Sequence, residues 1–151
     1  MLGRKGANVG TNSGLFNILF VEDNSADGRL AMEAMKESSV PCSFKIAGNG
    51  EEAMSYLLSR DSDAGLDYPD IILLDLNLLE KGGLEVLKEI KGNPNLKHIP
   101  AIVLTTSSDE RDIKGVYAVR ANCCIPKPVN LDEFSKAIKA IVNYWATVVK
   151  L

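Results

Sequence analysis

Ile71-Ile72-Leu73-Leu74-Asp75-Leu76-Asn77 holds four aliphatic residues in succession and then stops on a carboxylate. An unbroken apolar run of this length, with no alternation, suits a strand buried on both faces, as in a parallel sheet covered by helices. In open α/β sheets ligands sit in the crevice outside the carboxyl ends of the strands, and Asp75 stands at such an end. Other residues matter to function insofar as the fold brings them to Asp75.

Strand-like and helix-like segments alternate on either side of this run. Upstream, residues 18–21 read as a strand, Glu22-Asp23-Asn24-Ser25 breaks it, and residues 26–37 form a helix with Leu30, Ala34 and Met35 inward, closed by Pro41. Residues 43–47 alternate as a second strand and Gly48-Asn49-Gly50 turns into a helix over 51–58. Residues 60–69 read as a polar loop of unusual length. Downstream, Lys81-Gly82-Gly83 precedes a helix carrying Leu84, Leu87 and Ile90, stopped by Asn93-Pro94. A fourth strand covers 101–104, a fourth helix covers 109–119 with Ile113, Val116 and Tyr117 on one side, and a short fifth strand covers 123–125. Asn130 starts the last helix, with Glu133 completing a capping-box-like pattern. Alternating strands and helices with right-handed crossovers give a doubly wound, five-stranded parallel sheet with helices on both faces.

Composition narrows the function. The chain has 151 residues, 46% of them hydrophobic, enough for one domain with a full core. A formal net charge of −3 gives no general attraction to nucleic acid or to an anionic membrane. Cys42, Cys123 and Cys124 show no zinc or disulfide spacing, which fits a reducing, cytoplasmic compartment. Residues 1–14 are rich in Gly, Asn, Ser and Thr and read as a disordered leader, leaving 15–151 as the domain. No run approaches the roughly 18 apolar residues of a membrane span, so a soluble protein is expected.

The predicted topology gathers the polar residues at the strand ends: Glu22 and Asp23 after the first, Asp75 on the third, Thr105 on the fourth and Lys127 after the fifth. Each pair of carboxylates 4 Å apart repels by about 4 kcal/mol at an effective dielectric of 20, so a positive group must offset them. Oxygen ligands suit a hard dication of the magnesium kind. A metal held by acids beside one nucleophilic carboxylate, a lysine and a hydroxyl is equipment for a phosphoryl group. Asp75 would attack phosphorus to give an acyl phosphate, with the cation, Lys127 and the Thr105 hydroxyl each meeting one phosphoryl oxygen.

Taken singly these residues are ordinary. Glu22-Asp23 reads as a solvated loop favouring the next helix's N-terminus, Lys127 as a surface lysine, and His98, the only histidine, as a solvated side chain. Together and in order they resemble the receiver domains of two-component response regulators over about residues 17–149. The matching features are Glu22-Asp23, the run ending on Asp75, Gly83, Thr105 after Ile102-Val103-Leu104, and Lys127-Pro128. The resemblance implies the flavodoxin-like receiver fold and a phosphoacceptor switch that catalyses its own phosphorylation and dephosphorylation. It also implies a magnesium or manganese ion bound by Glu22, Asp23 and Asp75 with the Asn77 main-chain carbonyl, and relay of phosphorylation through Thr105 and Lys127. The implied donor is a sensor histidine kinase, and the Lys127-Pro128 peptide is expected to be cis, as in the family.

The loop over 60–69, the Thr105-Thr106-Ser107 run and the extended last helix look most like the phytochrome-associated regulators, which points to a phytochrome-like photoreceptor as the kinase. The sequence departs from the family where Cys124 replaces an aromatic, Leu79 a proline, and Pro126 a hydrogen-bonding residue. Thr106 is bulkier than the small residue typical beside the hydroxyl, and with Asn77 and Ser107 it is expected to slow water's access to the phosphoaspartate.

Leu131, Phe134, Ile138, Ile141, Trp145 and Val148 recur at steps of three or four, an apolar stripe about 27 Å long. The first half is expected to cover the sheet, and Tyr144, Trp145, Val148 and Val149 to extend past it toward a second copy in a homodimer. Two other classes fit less well. An aspartate-nucleophile phosphatase resembling the haloacid dehalogenases needs a second acid where Asn77 stands. A nucleotide- or flavin-binding module needs a glycine- or hydroxyl-rich first loop, and Glu22-Asp23 would repel its phosphate.

Overall fold

The computed structural model describes residues 14–62, 67–78, 82–106 and 110–149. All but the last residue of the expected leader, along with Leu79 and Ser107, lie outside the described residues. The elements in chain order are β1 (Phe16–Val21), α1 (Ser25–Lys36), β2 (Cys42–Ala47), α2 (Gly50–Ser62), β3 (Ile71–Asp75), α3 (Gly83–Gly92), β4 (Ala101–Thr105), α4 (Glu110–Ala118), β5 (Cys123–Pro126) and α5 (Leu131–Thr147).

The strands form one parallel sheet in the order β2-β1-β3-β4-β5, the flavodoxin-like arrangement. Ile71 to Leu74 are fully buried because the sheet is covered on both sides. Ile71 and Leu73 face a core built with α1 and α5 through Ala31, Ala34, Met35, Phe134 and Ile138. Ile72 and Leu74 face the opposite core, built with α2, α3 and α4 through Leu57, Leu87, Ile90 and Val116. Strand order reverses between β1 and β3, so the connections leaving those two strands diverge to opposite faces and open a crevice at their carboxyl ends. The register pairs Val21 with Leu74 and Asp75 with Leu104, which brings the ends of β1, β3 and β4 level.

Four local expectations are corrected. α2 runs on through Arg60 to Ser62, because the Arg60 guanidinium stacks 3.6 Å from the Tyr56 ring one turn earlier and favours a further turn of helix. The connection to β3 is shorter by as much. Tyr117 is 47% exposed instead of inward, and its hydroxyl accepts a hydrogen bond from the Cys124 main-chain N at 3.0 Å, satisfying a donor on the edge strand. Leu131, the first residue of α5, is 63% exposed, and the helix first enters the core at Phe134. Trp145 packs back against the core while Tyr144 and Val148 remain exposed. Pro126 sits on an edge strand, where its missing N–H costs no ladder bond.

Two caps fix the helices that matter to the crevice. Asn24 caps α1, its side chain accepting from the Asp27 main-chain N, and Asn130 caps α5, accepting from Glu133 N. Among the described residues no helix is long and apolar enough to cross a membrane.

Candidate phosphoacceptor and metal site

Glu22, Asp23 and Asp75 each offer a carboxylate oxygen, and these atoms lie within 4.8 Å of one another. Glu22 and Asp75 are buried and Asp23 is half-buried. Asp75 ends β3 with only 3% of its surface exposed, because the strand delivers it into the crevice already covered by its neighbours. Thr105 is buried at the end of β4, one position past the partner of Asp75. Its carbonyl accepts from the Lys127 main-chain N at 2.8 Å, which carries the β4–β5 ladder one residue beyond the strand.

Lys127 then turns its side chain into the crevice. Its Nζ lies 2.7 Å from Glu22 Oε1, 2.9 Å from Asp27 Oδ2 and 3.3 Å from Asp75 Oδ2. The Lys127-Pro128 peptide is trans, in contrast to the expectation of a cis bond. A trans X–Pro bond is the ordinary preference, and here the β5 ladder alone aims Lys127 at the acids. Asp27 is the site residue that sequence reasoning missed. It is the third residue of α1, and an acid in a first turn reads as a complement to the helix dipole. The signal available was its spacing from Asn24, which caps the helix and sets where that turn points.

Both oxygens of Asp75 are engaged: Oδ2 by Lys127, and Oδ1 by the Asn77 main-chain N at 2.9 Å. The Asn77 side chain reaches across the mouth, its Oδ1 accepting from Thr106 N at 3.3 Å and Thr106 Oγ1 at 3.1 Å. The loops after β3 and β4 are therefore tied together beside Asp75, by two of the three residues expected to govern access of water. Glu22 Oε2 accepts from Asn24 N at 3.2 Å, linking the acidic pair to the start of α1.

The electrostatics follow from this crowding. Burial first, and then the hydrogen bond and charge of Asp75, push the Glu22 carboxyl up to about 7 against the pull of Lys127. Burial works to lower the Lys127 ammonium, but its hydrogen bonds to Glu22 and Asp27 and the charges of Glu22 and Asp75 outweigh it and hold the group above the ordinary lysine value. Three carboxylate oxygens in one crevice, with neither imidazole nor thiolate among the clustered donors, match the donor set of a hard dication.

Gly83 packs against the end of β3. Its N donates to Leu76 O at 3.2 Å, and a Cβ built there would stand 2.5 Å from Asp75 O and 2.6 Å from Leu76 Cα. These are backbone atoms with no free rotor to yield. Gly83→Ala is expected to cost about 1–3 kcal/mol, read as a lower urea midpoint. An unchanged midpoint would contradict the close packing.

Comparison with known proteins fits this geometry. Residues 18–139 match the family described as Response regulator receiver domain. The response regulator Rcp1 of Synechocystis sp. is 42% identical over 134 residues, covering 89% of this chain and 91% of Rcp1. The crystal structure of the phosphorylated cyanobacterial phytochrome response regulator RcpA superposes with a TM-score of 0.83 at 44% identity, covering 91% of this chain and 98% of that one. The Mn(2+)-bound form of Rcp1 superposes with a TM-score of 0.80 at 42% identity, covering 89% and 97%.

Proposed function

The chain belongs to the response regulator receiver family, and from that premise we propose that Asp75 accepts a phosphoryl group from the phosphohistidine of a sensor histidine kinase. The observation that carries the reading is the meeting of Lys127 with Glu22, Asp27 and the buried Asp75 at the point where strand order reverses. One Asp75 oxygen attacks phosphorus as the P–N bond to the histidine breaks, and the electron pair of that bond returns to the imidazole. Glu22, Asp23 and Asp75, with the Asn77 main-chain carbonyl, would hold a magnesium or manganese ion, which when bound neutralises charge on the phosphoryl oxygens. Lys127 meets a second oxygen with its ammonium, and the Thr105 hydroxyl donates to the third. The Asn77 N–H, already on Asp75 Oδ1, keeps the carboxylate from rotating. Hydrolysis of the acyl phosphate at the same residues resets the switch.

The likeness to regulators whose names tie them to phytochromes supports a phytochrome-like photoreceptor as the kinase, acting in the cytoplasm. Output runs through a protein surface on the fourth and fifth strand-helix units. The exposed Tyr144 on α5 and Val148 at its C-terminal cap supply an apolar strip for a second copy of the chain. A monomer mass at every concentration, with and without phosphorylation, would remove the dimer.

The test of function is intact mass after incubation with magnesium and acetyl phosphate. Wild type is expected to gain one phosphate-sized increment, lost with a chelator, while Asp75→Asn gains none. An equal gain in both proteins would refute the assignment.

A further inference from the structure

Asp27 is the partner of Lys127 that stands outside the metal-binding trio. The Lys127 ammonium is in ion-pair contact with three different carboxylates, Glu22, Asp27 and Asp75, at 2.7, 2.9 and 3.3 Å. Two of these, Glu22 and Asp75, belong to the group of oxygens that lie within 4.8 Å of one another, and Asp27 does not. Oxygen lone pairs given to a cation are withdrawn from Lys127, and two positive charges sharing the same carboxylates repel. An ammonium with only Glu22 and Asp75 for partners would then leave the rim.

Asp27 is built to hold it there. Asn24 Oδ1 accepts from Asp27 N at 3.1 Å, so the cap of α1 fixes the turn that carries the carboxylate. The contact is well covered, with the Lys127 side chain 10% and the Asp27 side chain 23% exposed. α1 leaves β1 on the face that it shares with α5, so Asp27 also ties the start of α1 to the connection after β5. We propose that Asp27 is a positioning residue for phosphoryl transfer: it retains Lys127 at the crevice when Glu22 and Asp75 turn to the cation, and so keeps the ammonium within reach of the phosphoryl oxygens on Asp75. This rests on the reading of Asp75 as phosphoacceptor.

An acid in a first helical turn also favours the helix whatever it touches, and a double-mutant cycle separates the two roles. The rate of phosphorylation by acetyl phosphate at saturating magnesium, and the dissociation constant for manganese by calorimetry, are measured for wild type, Asp27→Asn, Asp27→Glu, Lys127→Met and Asp27→Asn with Lys127→Met. Asp27→Asn is expected to slow phosphorylation about tenfold, the scale of one charge-assisted hydrogen bond. Manganese binding is expected to weaken several-fold, because the loaded state loses the anchor of its displaced ammonium. Asp27→Glu restores most of the rate, and in the Lys127→Met background Asp27→Asn has no further effect on it. A full effect in that background, or wild-type rate and affinity in Asp27→Asn, overturns the proposal and leaves Asp75 as acceptor intact. A wild-type protein that gains no phosphate overturns both.

Discussion

Lys127→Met is expected to destabilise the metal-free protein by about 3–5 kcal/mol at pH 8, the scale of removing one partner from a buried ion pair. The side chain is 10% exposed and meets three carboxylates, of which Glu22 is wholly covered and Asp75 nearly so. Without the ammonium these groups keep their desolvation and mutual repulsion and lose their compensation. Glu22, already raised by burial and no longer held down by the ammonium, responds by binding a proton, so the deficit shrinks toward pH 5. Magnesium is expected to restore much of the loss, because a dication neutralises the same oxygens. Urea midpoints of wild type and variant, with chelator and with magnesium, read both effects. Equal midpoints in chelator at pH 8 would mean that the acids do not depend on Lys127.

The second large effect is the pH dependence of metal stabilisation. Glu22 sits at about 7 in the folded protein against an ordinary value of 4.5. A raised carboxyl contributes stability that is fully present below the unfolded value and is lost as pH rises through the folded one. Between those limits the metal-free protein is expected to lose on the order of 3 kcal/mol from this group. Lys127 is also raised, but its contribution is fully present below the ordinary lysine value and is constant over this window. The proposed coordination takes Glu22 as carboxylate, so on that proposal a bound cation removes the loss. The rise in Tm on saturation with magnesium is therefore expected to be larger at pH 8 than at pH 5, by about 10 °C for a domain of this size. An increment independent of pH would contradict the burial of Glu22 against Asp75.

What the sequence made legible was what short-range pattern encodes. The run Ile71 to Leu74 announced a strand covered on both faces, and alternation on either side gave the doubly wound order. The meeting of Glu22, Asp23, Asp75 and Lys127 in one crevice was readable because strand ends converge in this architecture, whatever roles they serve there. Contacts made by the polar ends of long side chains were less legible. Periodicity put Tyr117 on the inner side of α4, but its ring has a hydroxyl that finds an unpaired main-chain donor on β5. α2 outran its apolar pattern because Arg60 stacks on Tyr56, a contact that carries no hydrophobic signal. Asp27 was not singled out, because only the folded chain brings it to a residue 100 positions away.

The most direct measurement is the location of the phosphoryl group. Borohydride reduces an aspartyl phosphate to homoserine, and peptide mass mapping of the reduced, phosphorylated protein reads the residue that changed. Conversion is expected at position 75 alone and only when magnesium was present. Homoserine at position 23 or 27, or none at all in a protein that has gained phosphate, would contradict it.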